Sequence, residues 1–90
     1  MNGEGADILR RVSTTREIAD SIQVSEDTVR RWARLGLLPP GRKVHRGRRG
    51  VGFVWPAETA AQARWVKSQL DAGLTPDDVR AALTRGDFAP

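Results

Sequence analysis

Thr14-Thr15-Arg16-Glu17-Ile18-Ala19-Asp20-Ser21-Ile22-Gln23-Val24-Ser25-Glu26-Asp27-Thr28-Val29-Arg30-Arg31-Trp32-Ala33-Arg34-Leu35-Gly36 holds two helix starts 11 residues apart. Thr14 and Glu17 form a capping box, in which the hydroxyl satisfies the amide of the third helical residue while the carboxylate reaches back. Ile18, Ala19 and Ile22 then share one helical stripe, which predicts a short helix from Thr15 to Ser21. Ser25 is a second N-cap, with Glu26 and Asp27 at the positive end of the next helix dipole, and Val29, Trp32 and Ala33 repeat the stripe until Gly36 stops it. Two short helices joined by so few residues cannot lie antiparallel. They pack at a steep angle, the helix-turn-helix arrangement, and the second helix projects.

Outward from that pair the period changes. Pro39-Pro40-Gly41 cannot continue a helix, and Val51, Phe53 and Trp55 alternate with Gly52 and Val54. With Lys43 to His45 as the opposing strand, the pattern predicts a hairpin whose loop lies near Gly47 to Gly50. Pro56 ends it. Ala63, Val66 and Leu70, with Trp65 beside them, predict a helix from Ala57 to Ala72 capped by Gly73. Thr75-Pro76-Asp77-Asp78 opens a last helix, which buries Val79, Ala82 and Leu83 before Gly86. Ile8, Leu9 and Val12 are spaced to add a helical turn in front.

The chain has 90 residues, enough for one modest core. Its 39% apolar and 29% charged residues describe a soluble globular domain rather than a disordered or membrane-spanning one. The absence of cysteine excludes disulfides, thiolate zinc sites and cysteine nucleophiles. No apolar run approaches the roughly 18 residues of a spanning helix, and the first residues lack the basic-then-apolar form of a signal peptide. The expected location is therefore the cytoplasm, on the nucleoid.

Charge is unevenly spread. From Thr28 to Ala57 there are eight basic residues and no acid, whereas the other sixty residues hold seven basic and eleven acidic ones. A one-signed block of +8 within flanks summing to −4 is the footprint of a surface for a polyanion. On the second helix Val29, Trp32 and Ala33 are committed to the core, which leaves Thr28, Arg30, Arg31 and Arg34 for the outer face. Arginine forks match guanine edges and phosphate oxygens, so this face suits a major groove. No acid from Thr28 onward stands ready to pair these arginines at the next helical turn. Arg42, Lys43, Arg46, Arg48 and Arg49 lie on the hairpin, from which they reach an adjacent backbone or minor groove.

The run Val24-Ser25-Glu26-Asp27-Thr28-Val29-Arg30-Arg31-Trp32 followed by Gly36-Leu37-Leu38-Pro39-Pro40, together with Gly52-Phe53-Val54-Trp55 and Asp71-Ala72-Gly73-Leu74-Thr75-Pro76, resembles the MerR-type transcription regulators. The resemblance implies a mainly α, winged helix-turn-helix domain over residues 13–86. It has a small β-hairpin wing at 43–55 and two following helices, behind an extension at 1–12 and ahead of a tail at 87–90. Two departures stand out. Val54 occupies the place of an arginine in the family's usual Gly-Tyr-Arg-x-Tyr wing, so its backbone contact passes to Arg48 or Arg49. The sequence stops at Pro90 before the long coiled-coil helix and effector domain of typical members. Minimal members, namely small developmental regulators and excisionases, are the nearer likeness. The implied partner is double-stranded DNA, with head-to-tail self-association on direct repeats and no small-molecule effector.

Other readings are weaker. Gly47, Gly50 and Gly52 lack the strand, helix and Lys-Ser/Thr of a phosphate loop and read as a wing tip. His45 is the sole histidine and has no cysteine or carboxylate near it in sequence, so neither a metal site nor any cofactor is expected. Glu26-Asp27 and Asp77-Asp78 read as helix-start charges rather than acid/base pairs, and no enzyme is expected. Trp32, Trp55 and Trp65 read as core, with Trp55 alternatively flanking the groove. The leading function is a sequence-specific transcription regulator. An excisionase-like architectural factor for recombination is the alternative, followed by a protein-interaction module on helices 57–85.

Overall fold

A computed structural model describes residues 12–45 and 51–88. The elements are β1 (Val12–Thr14), α1 (Thr15–Ile22), α2 (Glu26–Arg34), β2 (Arg42–His45), β3 (Val51–Pro56), α3 (Thr59–Asp71) and α4 (Pro76–Thr84). Both helices of the decisive stretch begin where their caps place them. The Thr14 hydroxyl accepts from the Glu17 amide and the Glu17 carboxylate accepts from the Thr14 amide, while Ser25 Oγ accepts from the Thr28 amide. The turn between them runs through Gln23, left-handed at φ 60°, a conformation L residues seldom adopt.

The end of α2 is tied down more heavily than its start. Gly36 at φ +81° lets the Leu37 amide donate back to the Trp32 carbonyl at 2.9 Å and the Gly36 amide to Ala33 at 3.1 Å. Two carbonyls just beyond the helix take side chains from distant elements: Arg80 Nε donates to Leu35 O at 2.7 Å, and Gln62 Nε2 to Leu37 O at 2.8 Å. The direction of α2 is thus set by α3 and α4 as well as by its own core face.

The hairpin belongs to a sheet of order β1-β3-β2, antiparallel throughout. The third strand corrects the expected helical turn at Val12, which pairs with Pro56 while Ser13 pairs with Trp55. Its physical reason is that Thr14 must be extended to cap α1 (φ −81°, ψ 161°), so the residues leading into the cap are already in strand geometry. Ile8 and Leu9 lie outside the described residues, as does the expected hairpin loop.

One core unites the layers. Ile18, Val29, Leu37, Ala63, Val66 and Val79 are fully buried, with Ile22, Trp32, Leu38 and Trp55 nearly so. Trp65 is only half-buried and stacks against Phe88 at 5.6 Å, which fastens part of the stretch read as a tail. Thr59, at the start of α3, is fully buried and its hydroxyl has no partner among the described residues. Replacing it by valine keeps the shape and removes an unpaid desolvation cost. Thr59→Val is expected to leave stability unchanged or raise it by about 1 kcal/mol. Urea unfolding checks this, and a clear loss would show that the hydroxyl has a partner.

Candidate nucleic-acid interface

The amphipathic division of α2 is the base of the site. Val29 and Trp32 are buried, Ala33 packs against the core, and Arg31 and Arg34 are exposed, with Thr28 and Arg30 half-buried. Arg30 and Arg34 stand one turn apart and line a shallow groove of about 370 Å³ whose other walls are Ala33, Pro40, Gly41, Phe53 and Trp55. Arg31 lies roughly 60° around the helix from Arg34.

Charge pairing divides the three arginines. Arg30 Nη1 donates to Asp27 Oδ1 at 2.9 Å and Arg30 Nη2 to Glu26 Oε1 at 3.2 Å. The absence of acids from Thr28 onward holds, but Arg30 is paired all the same, by the two acids one turn before it. The missed signal was the i, i+3 and i, i+4 spacing itself. Arg31 and Arg34 make no ion pair among the described residues. Thr28 Oγ1 lies 3.0 Å from the capping Ser25 Oγ.

The sheet register sorts the hairpin residues by face. Lys43 pairs with Phe53 and Arg42 with Val54. Directly opposed residues share a face and successive ones alternate, so Lys43 joins Phe53 and Trp55 on the face toward α2, and Arg42 lies on the other. Arg46, Arg48 and Arg49 lie outside the described residues. Phe53 is 39% exposed and stands beside the arginines, its ring 6.4 Å from that of Trp55. Trp55 itself is core: it is 3% exposed, and its Nε1 donates to the buried Thr15 Oγ1 at 2.9 Å.

Among the described residues, no group of three histidine, aspartate or glutamate side chains is placed to hold a metal ion, and no helix is long and apolar enough to cross a membrane. The acidic residues of α3 and α4 are engaged locally, Asp71 with Lys67 at 2.7 Å, Asp77 with Arg80 at 2.8 Å, and Asp78 in the capping box of α4.

Among the described residues, four helices, the first two joined by a three-residue turn, and a three-stranded sheet whose hairpin stands beside the second helix define a winged helix-turn-helix protein. The family described as MerR HTH family regulatory protein matches residues 13–86, and the chain belongs to it. It is therefore a helix-turn-helix regulator of the DNA-binding, transcription-regulating class. No curated protein and no solved structure matches the chain.

Proposed function

We propose that this regulator recognises a specific duplex sequence by laying the outer face of α2 in the major groove, with the β2–β3 wing on the neighbouring backbone or minor groove, and that it acts on transcription without catalysing a reaction. The observation that carries the reading is a pair of exposed arginines, Arg31 and Arg34, without ion pairs among the described residues, on a helix whose opposite face is wholly committed to the core. Gel shifts with a selected site against random duplex test it. A protein that prefers no sequence would contradict it.

In this reading Lys43 shares the duplex with α2, since it lies on the same face as Phe53, while Arg42 serves a flanking phosphate. The wing supplies affinity rather than sequence preference. Replacing Arg48 and Arg49 together by alanine is expected to weaken binding to all sequences and flatten the salt dependence by up to about 2 units of slope. An unchanged slope would remove these two residues from the interface.

Copies assemble head to tail on directly repeated sites, the basic middle of the chain facing DNA. Because the acids at 71–78 are locally paired or capping, charge attraction from that stretch contributes little to such contacts. Sedimentation of the free protein, beside gel shifts on one, two and three sites, tests this. Binding confined to inverted repeats would overturn it.

A further inference from the structure

Arg30 differs from its neighbours in a way that bears on how the site discriminates. Its guanidinium spans two carboxylates of its own helix, Asp27 at 2.9 Å and Glu26 at 3.2 Å, whereas Arg31 and Arg34 have no such partner among the described residues. None of the three side chains is hidden: Arg30 is 42% exposed, Glu26 43% and Asp27 94%. They occupy the first turns of α2, the end of a recognition helix that approaches base edges in helix-turn-helix proteins. Arg30 lines the groove described above and also a second one, walled by Thr14, Glu26, Gly52 and Phe53, so it stands at the junction of the two DNA-facing elements.

The group of three carries a net charge of −1, and its chemistry treats the parts of a duplex differently. A phosphate that takes the Nη1 and Nη2 groups facing the carboxylates must displace both of them, and at any of the guanidinium's other N–H groups it still stands beside them, which like-charge repulsion opposes. A G·C pair has no such conflict. Guanine O6 and N7 accept the arginine fork, and the cytosine amino group donates to a carboxylate the fork has released. An A·T pair offers adenine N7 as an acceptor but lacks the two-acceptor edge the fork needs.

We propose that Glu26 and Asp27 are specificity-determining residues: they withhold Arg30 from phosphates and release it only to a G·C base pair, whose two edges replace both sides of the ion pair. The inference rests on the reading that α2 enters the major groove. In it the wing and whichever of Arg31 and Arg34 holds a phosphate supply affinity for any duplex, and the braced Arg30 adds discrimination at one position.

The test compares the purified wild type with Glu26→Gln/Asp27→Asn and with Arg30→Lys. The probes are the duplex that wild-type protein selects from a random pool and a random-sequence duplex. Circular dichroism confirms that each variant is folded, since Ser25 still caps the helix in all of them. Removing the two charges is expected to raise affinity for random duplex about tenfold more than for the selected site, so the ratio between them falls about tenfold. A second selection with that variant should lose a G·C preference at one position. Arg30→Lys, whose single ammonium cannot fork, is expected to lower the ratio while leaving random binding within about twofold. If the neutralised variant binds both duplexes more tightly by the same factor, the acids act by bulk charge alone and the proposal is wrong. An unchanged affinity for random duplex would also overturn it. A wild type with no sequence preference would instead overturn the reading of α2 on which the proposal stands.

Discussion

Replacing Trp55 by alanine is expected to cost about 3–5 kcal/mol, the range for truncating a buried aromatic residue. Trp55 is 3% exposed at the meeting point of β3, α1 and the Pro40–Gly41 loop, and its indole N–H satisfies the buried Thr15 hydroxyl from 40 residues away. The fit is tight. A Cβ added at Gly41 would stand 3.1 Å from three atoms of the indole, so the loop already lies against the ring as closely as backbone allows. A domain of this size commonly has about 5–15 kcal/mol in total, so the loss takes a large share of the folded population. Chemical denaturation reads it directly. Trp55→Phe separates anchoring from DNA contact. It keeps most of the apolar packing, leaves Thr15 without its donor, and is expected to cost about 1–3 kcal/mol while binding DNA almost normally wherever it is folded. A folded Trp55→Phe protein that no longer binds would place the ring against DNA and contradict its assignment to the core.

The second large effect falls on binding. Arg31→Ala and Arg34→Ala are each expected to cost about 1–3 kcal/mol on the selected site, and together about 2–6 kcal/mol if the two contacts are independent. They are also expected to differ in kind. Arg34 lies in the groove beside Phe53, within about 40° of Arg30 around the helix, while Arg31 is offset by about 60° from Arg34 and about 100° from Arg30. Both cannot address the same base step. The variant that loses a base reader relaxes preference at one position, whereas the one that loses a phosphate contact weakens all sequences alike and lowers the salt slope by about 1. Competition against random duplex distinguishes them. Equal losses on specific and random DNA for all three arginines would mean that α2 does not read sequence.

Sequence carried the helices well because each is announced by chemistry that acts locally. Thr14, Ser25 and Thr75 cap the helices they precede, Gly36 and Gly73 lie at positive φ, and the stripes Ile18-Ala19-Ile22 and Val29-Trp32 are the faces that are buried. β1 was not legible. Three residues are too few for an alternating pattern, and what makes them a strand is β3, some 40 positions away. The burial of Leu37 and Leu38 is illegible for a related reason: they follow the helix in a turn with no period, yet both are buried. At the site, composition identified the basic faces but not their division. That Lys43 and Arg42 lie on opposite sides of the sheet follows from the register. That Arg30 is paired follows from acids one turn upstream, which serve the helix dipole and the arginine at once.

The central claim is that arginines of α2 read base edges in the major groove, and methylation interference on the selected duplex tests it most directly. Dimethyl sulfate places a methyl group on guanine N7 in the major groove and on adenine N3 in the minor groove, so one reaction probes both sides of the duplex. The account predicts that methylation of one or two guanines at discrete positions abolishes binding, and that the effect at one of them disappears in the arginine variant that no longer discriminates there. Binding indifferent to every guanine N7 and blocked only by adenine N3 methylation would contradict it.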